Sequence, residues 1–179
     1  VAHEGMLLSL QKGFTMKQLR RAVEHRRWLI EQGSPMEWLW VFLLGGPGET
    51  RDSMLETFRF VREELPERDA VFMQVGLRVY PDTPLQQQVI DEGVLSPDCG
   101  LLESFHYVSP ALEPMWIYDT LMEQIRMRSN ITTLRDVMNP AFPFYLRLAG
   151  TFGFKAPITS TQPALKLLTR LGLRSVGPV

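Results

Sequence analysis

Seven consecutive apolar residues, Trp38-Leu-Trp-Val-Phe-Leu-Leu44, run into Gly45-Gly46-Pro47-Gly48-Glu49-Thr50, and this junction constrains the fold more than any other stretch of the chain. A short run without polar alternation is expected of a parallel strand covered on both faces. It falls far below the ~20 apolar residues needed to span a bilayer. The glycines and proline end the strand. Thr50 can then cap a helix in which Met54, Leu55, Phe58, Val61 and Leu65 form the apolar stripe, closed by Pro66.

A second strand is expected over about 70–80. Period-2 alternation sends Val71, Met73, Val75, Leu77 and Val79 to one side, and Phe72, Gln74, Gly76, Arg78 and Tyr80 to the other. One face is a core and the other is polar. Strand, helix and strand in this length match a right-handed βαβ crossover, so both strands should be parallel, with their C-terminal loops on one side.

Around this unit, Thr15 and Gln18 form a capping-box pattern. Met16, Leu19, Ala22, Val23, Leu29 and Ile30 then recur at helical spacing to Gly33, giving a helix at 15–32. Its other face carries Lys17, Arg20, Arg21, His25, Arg26 and Arg27, read as a solvated face rather than an anion stripe. A short helix is expected at 85–92, irregular chain at 94–112, and a helix from Pro114 to about Arg128. From Met138 onward a helical, loop-rich tail is punctuated by Pro and Gly. No internal repeat is visible. The expected division is 1–110 and 111–179.

Composition removes several function classes. Lys plus Arg number 19 against 20 Asp plus Glu, a net charge of −1, so no bulk positive field is available to hold a nucleic acid. The one cysteine, Cys99, excludes an internal disulfide and any cluster built on several thiolates of this chain. His3, His25 and His106 have no second ligand at metal spacing, and no Ser/His/Asp or Cys/His arrangement is legible. The N-terminus has neither a basic region nor a signal-like apolar core, so the chain reads as cytoplasmic and without a membrane span. It opens on Val1, a weak hint that sequence lies upstream.

The Gly45–Thr50 turn is the sharpest chemical feature. Glycines let a ligand approach the backbone, and the following helix N-terminus offers N–H groups to a polar or anionic ligand. No Gly-Lys-Ser/Thr closes it as in a P-loop, and no third glycine completes a dinucleotide fingerprint. A tight turn that merely needs small residues is the alternative. A nicotinamide enzyme using Asp69, 23 residues after Gly46, as ribose ligand is disfavoured by the missing glycine. Arg78 is expected to point into the sheet's concave interior, where its guanidinium wants a carboxylate, either a substrate's or an internal Glu or Asp.

Taken in order, Met6-Leu7-x-x-Leu10-x-Lys12-Gly13-Phe14-Thr15, Phe42-Leu-Leu-Gly-Gly-Pro-Gly-Glu-Thr50 and Val75-Gly-Leu-Arg-Val-Tyr-Pro-Asp-Thr-Pro-Leu85 resemble the second half of a radical SAM (S-adenosylmethionine) domain, particularly in members with a cobalamin-binding domain upstream. The resemblance covers about 6–110. It implies an α/β fold, the C-terminal portion of a partial parallel (β/α) barrel, followed by the mostly helical extension. It also implies S-adenosylmethionine and a four-iron four-sulfur cluster in the full-length parent, with cobalamin a further option, and radical chemistry on a small-molecule substrate. Gly45, Gly46, Pro47, Gly48, Glu49 and Thr50 would lie near the adenine. Gln74, Gly76, Arg78 and Tyr80 would line the cavity near cofactor or substrate. The cluster cysteines, the segment that holds the methionyl amine and the earlier strands are absent from this chain. The resemblance therefore implies a fragment whose partner is the N-terminal half of the same enzyme. The competing expectation is a non-catalytic module that binds a nucleotide-like ligand or a partner through an uncovered sheet edge.

Overall fold

The computed structural model describes residues 1–99 and 104–138, together with positions 147 and 151. In chain order it comprises α1 (Glu4–Ser9), α2 (Met16–Glu31), β1 (Leu39–Leu44), α3 (Arg51–Glu63), β2 (Ala70–Val75), β3 (Leu77–Arg78), α4 (Pro84–Asp91), β4 (His106–Tyr107), α5 (Pro114–Met127), β5 (Ile131–Thr133) and α6 (Leu134–Met138). The expectations for 139–179 lie outside the described residues, apart from positions 147 and 151.

Local chemistry starts the helices where the sequence says. At α2 the Thr15 hydroxyl accepts from Gln18 N at 3.3 Å, and Thr15 N donates to Gln18 Oε1 at 2.9 Å, a reciprocal box. Thr50 and Ser53 repeat the device at α3. Thr83 caps α4, with Pro84 at its first turn.

The strands β1, β2 and β5 form one parallel sheet in the order β1-β2-β5. The register runs from Leu39 opposite Ala70 to Leu44 opposite Val75, and from Val71 opposite Ile131 to Met73 opposite Thr133. The fold is thus mixed α/β around a small parallel sheet. Trp40, Phe42 and Leu44 share a core with Val71, Met73 and Ile131. Phe58, Phe60 and Val61 of α3 and Ile117, Leu121 and Ile125 of α5 pack into it. The Phe42 and Phe60 rings meet at 6.3 Å in a tilted pair. Because β5 and α5 lie beyond residue 110, the sheet and core cross the division expected there.

Several expectations are corrected. The chain over 70–80 is not one strand, because Gly76 adopts φ +83° and breaks it. A Cβ at that position would also meet the His106 Cβ at 3.0 Å, so only glycine suits both the backbone and the close approach. Beyond the break, β3 leaves the parallel sheet and pairs antiparallel with β4, Leu77 opposite Tyr107 and Arg78 opposite His106. Strand β4 lies inside 94–112, expected to be irregular. Strand β1 is not covered on both faces: Trp40, Phe42 and Leu44 are buried, whereas Leu39 is 45% and Val41 56% exposed. Its uniform apolar sequence hides a strand with one wet face.

Arg26 is likewise not part of a solvated helix face. It is fully buried, and its guanidinium grips Asp69 with Nε at 2.8 Å and Nη2 at 2.6 Å from Oδ1. Trp40 Nε1 donates to Asp69 Oδ2 at 2.9 Å, and Asn130 Nδ2 donates to the Asp69 carbonyl at 2.7 Å. Asp69 therefore ties α2 to β1 and β2 and cannot serve as a ribose ligand. Buried Arg128 closes the other end of α3, its Nη2 donating to Leu65 O at 3.1 Å and its Nη1 to the carbonyls of Val61, Arg62 and Leu65. A guanidinium placed on the orphan carbonyls of a helix C-terminus also complements its dipole.

Candidate functional site

Parallel pairing puts the ends of β1 and β2 side by side, and Gly76 N donates to Leu44 O at 2.8 Å where the two strands run out. The Gly45–Thr50 turn and the Gly76–Tyr80 segment therefore leave the same edge of the sheet, as the crossover arithmetic required. Gly45 at φ +85° and Gly48 at φ +74° carry the reversal, with Glu49 N bonded back to Gly46 O at 3.0 Å.

The turn is filled by its own side chain. Glu49 is fully buried, and its Oε2 accepts from the amides of both Gly45 and Gly46, the latter at 3.0 Å. A carboxylate thus occupies the place where the sequence suggested an external anion. Thr50 N donates to Ser53 Oγ at 3.0 Å, so the amides expected to greet a polar or anionic ligand are largely satisfied from within. Burial pushes the Glu49 carboxyl above its ordinary value, while the two amide bonds pull it back. Its second oxygen, Oε1, is buried without a hydrogen-bond partner.

Two further segments clamp the turn. Ser109 N donates to Gly45 O at 2.8 Å, and its hydroxyl donates to Glu49 O at 3.0 Å. On the other side, Ser9 Oγ of α1 donates to Pro47 O at 3.4 Å, and the side chains of Met6 and Leu10 lie 3.4 Å from where a Cβ of Gly46 would stand, in ordinary van der Waals contact. Gly45 has Val108 against it, where a Cβ would meet Cγ1 at 3.1 Å. Glycine is favoured at Gly45 by packing and dihedral angle together, and at Gly48 by dihedral angle alone.

Of the residues singled out from sequence, Gly45, Gly46, Pro47, Glu49 and Gly76 are buried, Gln74 is half-buried, and Gly48, Thr50, Arg78 and Tyr80 are exposed. Arg78 is corrected from an interior position to the surface of the β3–β4 ribbon. Its guanidinium lies over the Tyr80 ring, 5.0 Å from the centroid, and pairs with no internal Glu or Asp among the described residues. Sequence reasoning missed Ser109 and Ser9, weighed His106 only as a metal ligand, and did not place it opposite Arg78. A two-residue strand has no periodicity to read, and nothing local marks Ser109 as a partner of residues 60 positions earlier.

Comparison with protein-family models, with curated proteins and with solved structures finds no match to this chain. Among the described residues, no helix is long and apolar enough to cross a membrane, and no group of three or more His, Cys, Asp or Glu is arranged to hold a metal ion.

Proposed function

We propose that this chain is the C-terminal part of a radical S-adenosylmethionine enzyme, contributing the adenine-side turn Gly45–Thr50 and the substrate-side segment Gln74–Tyr80 to a site completed by an N-terminal half. The observation that carries this reading is the common edge: a parallel β-α-β unit delivers both motif loops to the C-terminal side of one sheet, where α/β folds gather ligands. A three-stranded parallel sheet with β1 exposed on one face is also what a portion of a partial barrel would present.

The residues do not fit an iron–sulfur cluster. Cys99 is the only thiol and lies exposed, so the cluster and the radical step belong to the absent half. For the nucleoside, Glu49 blocks the Gly45 and Gly46 amides from phosphate-like groups, and Gly48 and Thr50 are the exposed part of the turn. Such a surface suits a neutral base better than an anion. In this reading Glu49 shapes the turn and does not touch the reacting atoms.

The test combines sequence and chemistry. A Cys-x3-Cys-x2-Cys motif is expected within about one domain, ~150 residues, upstream in the same reading frame. A protein that includes it should take up a cluster anaerobically and form 5′-deoxyadenosine on reduction, whereas the 179-residue chain alone should hold no cluster. An upstream frame without these cysteines overturns the proposal. The reading it would yield to, a non-catalytic partner-binding module, has one observation in its favour: the apolar exposure of Leu39 and Val41 on edge strand β1.

A further inference from the structure

The segment after Gly76 carries an arrangement that neither the turn nor the sheet requires. Antiparallel pairing sets Arg78 directly opposite His106, and residues directly opposed in such a ladder project from the same face. Burial agrees: Leu77 is half-buried and Tyr107 buried on one face, while Arg78 and His106 are both exposed on the other. Tyr80, two residues along from Arg78, sits beneath its guanidinium at 5.0 Å. The approach favours Gly76, which holds φ +83° and where a Cβ would stand only 3.0 Å from the Cβ of His106.

Arg78 is left with open hydrogen-bonding capacity. Arg20 pairs with Glu64, Arg26 with Asp69, Arg51 with Glu113 and Arg62 with Glu63, but Arg78 forms no ion pair among the described residues. The contact with Tyr80 engages the guanidinium without consuming its N–H donors, and those donors form a planar fork matched to two oxygens of an anion. His106 opposite can add a ring N–H from the neighbouring strand.

We propose that Arg78 and His106, braced by Tyr80, form a seat for an oxyanion, a carboxylate or phosphate group carried by the ligand handled at this edge of the sheet. The seat names an anionic substrate class for the site proposed above and rests on that reading only for the reaction the ligand undergoes. The Gly45–Thr50 turn, whose Gly45 and Gly46 amides are taken by Glu49, offers no such seat, so the anionic group falls to the β3–β4 ribbon on the substrate side.

The experiment uses the 179-residue chain and follows the ring resonances of its histidines by NMR while inorganic phosphate or sodium acetate is added at constant ionic strength. The three histidines are His3, His25 and His106, and His106→Gln assigns the signal of interest. His106 should shift saturably, and His3 and His25 should not. Arg78→Gln should weaken that response roughly tenfold or more, the usual size of a lost charge-assisted hydrogen bond. Arg78→Lys should recover part of it, since an ammonium lacks the fork. A stronger response to acetate assigns a carboxylate, and a stronger response to phosphate assigns a phosphate. Histidines that move together, a shift that never saturates, or an Arg78→Gln variant with an unchanged amide spectrum and unchanged binding would overturn the seat. The outcome is independent of the cluster test: missing upstream cysteines would remove the radical reading and leave this result standing.

Discussion

Glu49 concentrates the residue-scale physics of the site, because one carboxylate answers two buried backbone N–H groups and leaves its second oxygen unpartnered. Truncation to Ala would orphan both amides, each costing ~1–3 kcal/mol. The pH dependence follows from the direction of its shift. Burial raises the carboxyl above its ordinary value, so the folded chain holds this proton to higher pH than the unfolded chain does. The stability contribution of Glu49 is therefore greatest below the ordinary carboxylate value, falls as pH rises through the window up to its folded value, and is level above it. Each tenfold difference in proton affinity between the two states is worth ~1.4 kcal/mol. Glu49→Gln keeps an acceptor for the amides and removes the titration, so the stability difference between the two proteins in urea should change across that window. A constant difference from acid to neutral pH would show that Glu49 does not titrate there. The turn itself was legible from its glycines and from Thr50. The role of Glu49 was not, because the same sequence serves an open anion cradle or one closed by its own side chain, and only the rotamer decides.

At the scale of elements, what the sequence revealed and what it concealed divide along the range of the interactions. Helices α2, α3, α4 and α5 announce themselves through caps, prolines and 3.6-residue stripes, all local signals. Strands β4 and β5, of two and three residues, exist because distant chain pairs with them, and so leave no pattern. Arg26 shows the same limit: on α2 it sits among exposed basic residues, yet Asp69, 43 positions on, draws it fully inside. That pair joins α2 to the start of β2 and, through Trp40, to β1. Asp69→Asn should leave the Arg26 charge buried against a neutral partner and destabilise the chain by ~3–5 kcal/mol. Adding Arg26→Met to Asp69→Asn removes the stranded charge while the Asn still accepts from Trp40, and should recover much of the loss. Urea unfolding of both variants reads the difference. If the double variant is no more stable than the single one, the pair's contribution is not the penalty of an uncompensated charge.

For the whole molecule the decisive feature is the imbalance between the two faces of the parallel sheet. Helices α3 and α5 cover Trp40, Phe42, Val71, Met73 and Ile131, while Leu39 and Val41 of β1 stay exposed, and among the described residues β1 is also an unpaired edge of the sheet. Parallel sheets are ordinarily covered on both faces, and a free apolar edge is a template for another strand. The 179-residue chain should therefore bind a hydrophobic dye or self-associate under conditions where its helices are fully formed. Val41→Lys places a charge at the middle of that edge on a side chain already 56% exposed, so it should suppress dye binding and association while moving the melting temperature little. Light scattering and dye fluorescence on the two proteins separate the outcomes. If the parent melts sharply as a monomer without binding dye, the open face needs no cover and the case for a missing half loses its physical basis. If Val41→Lys lowers the melting temperature as much as a core substitution does, Val41 is packed in solution, and the edge is already closed by other parts of this chain.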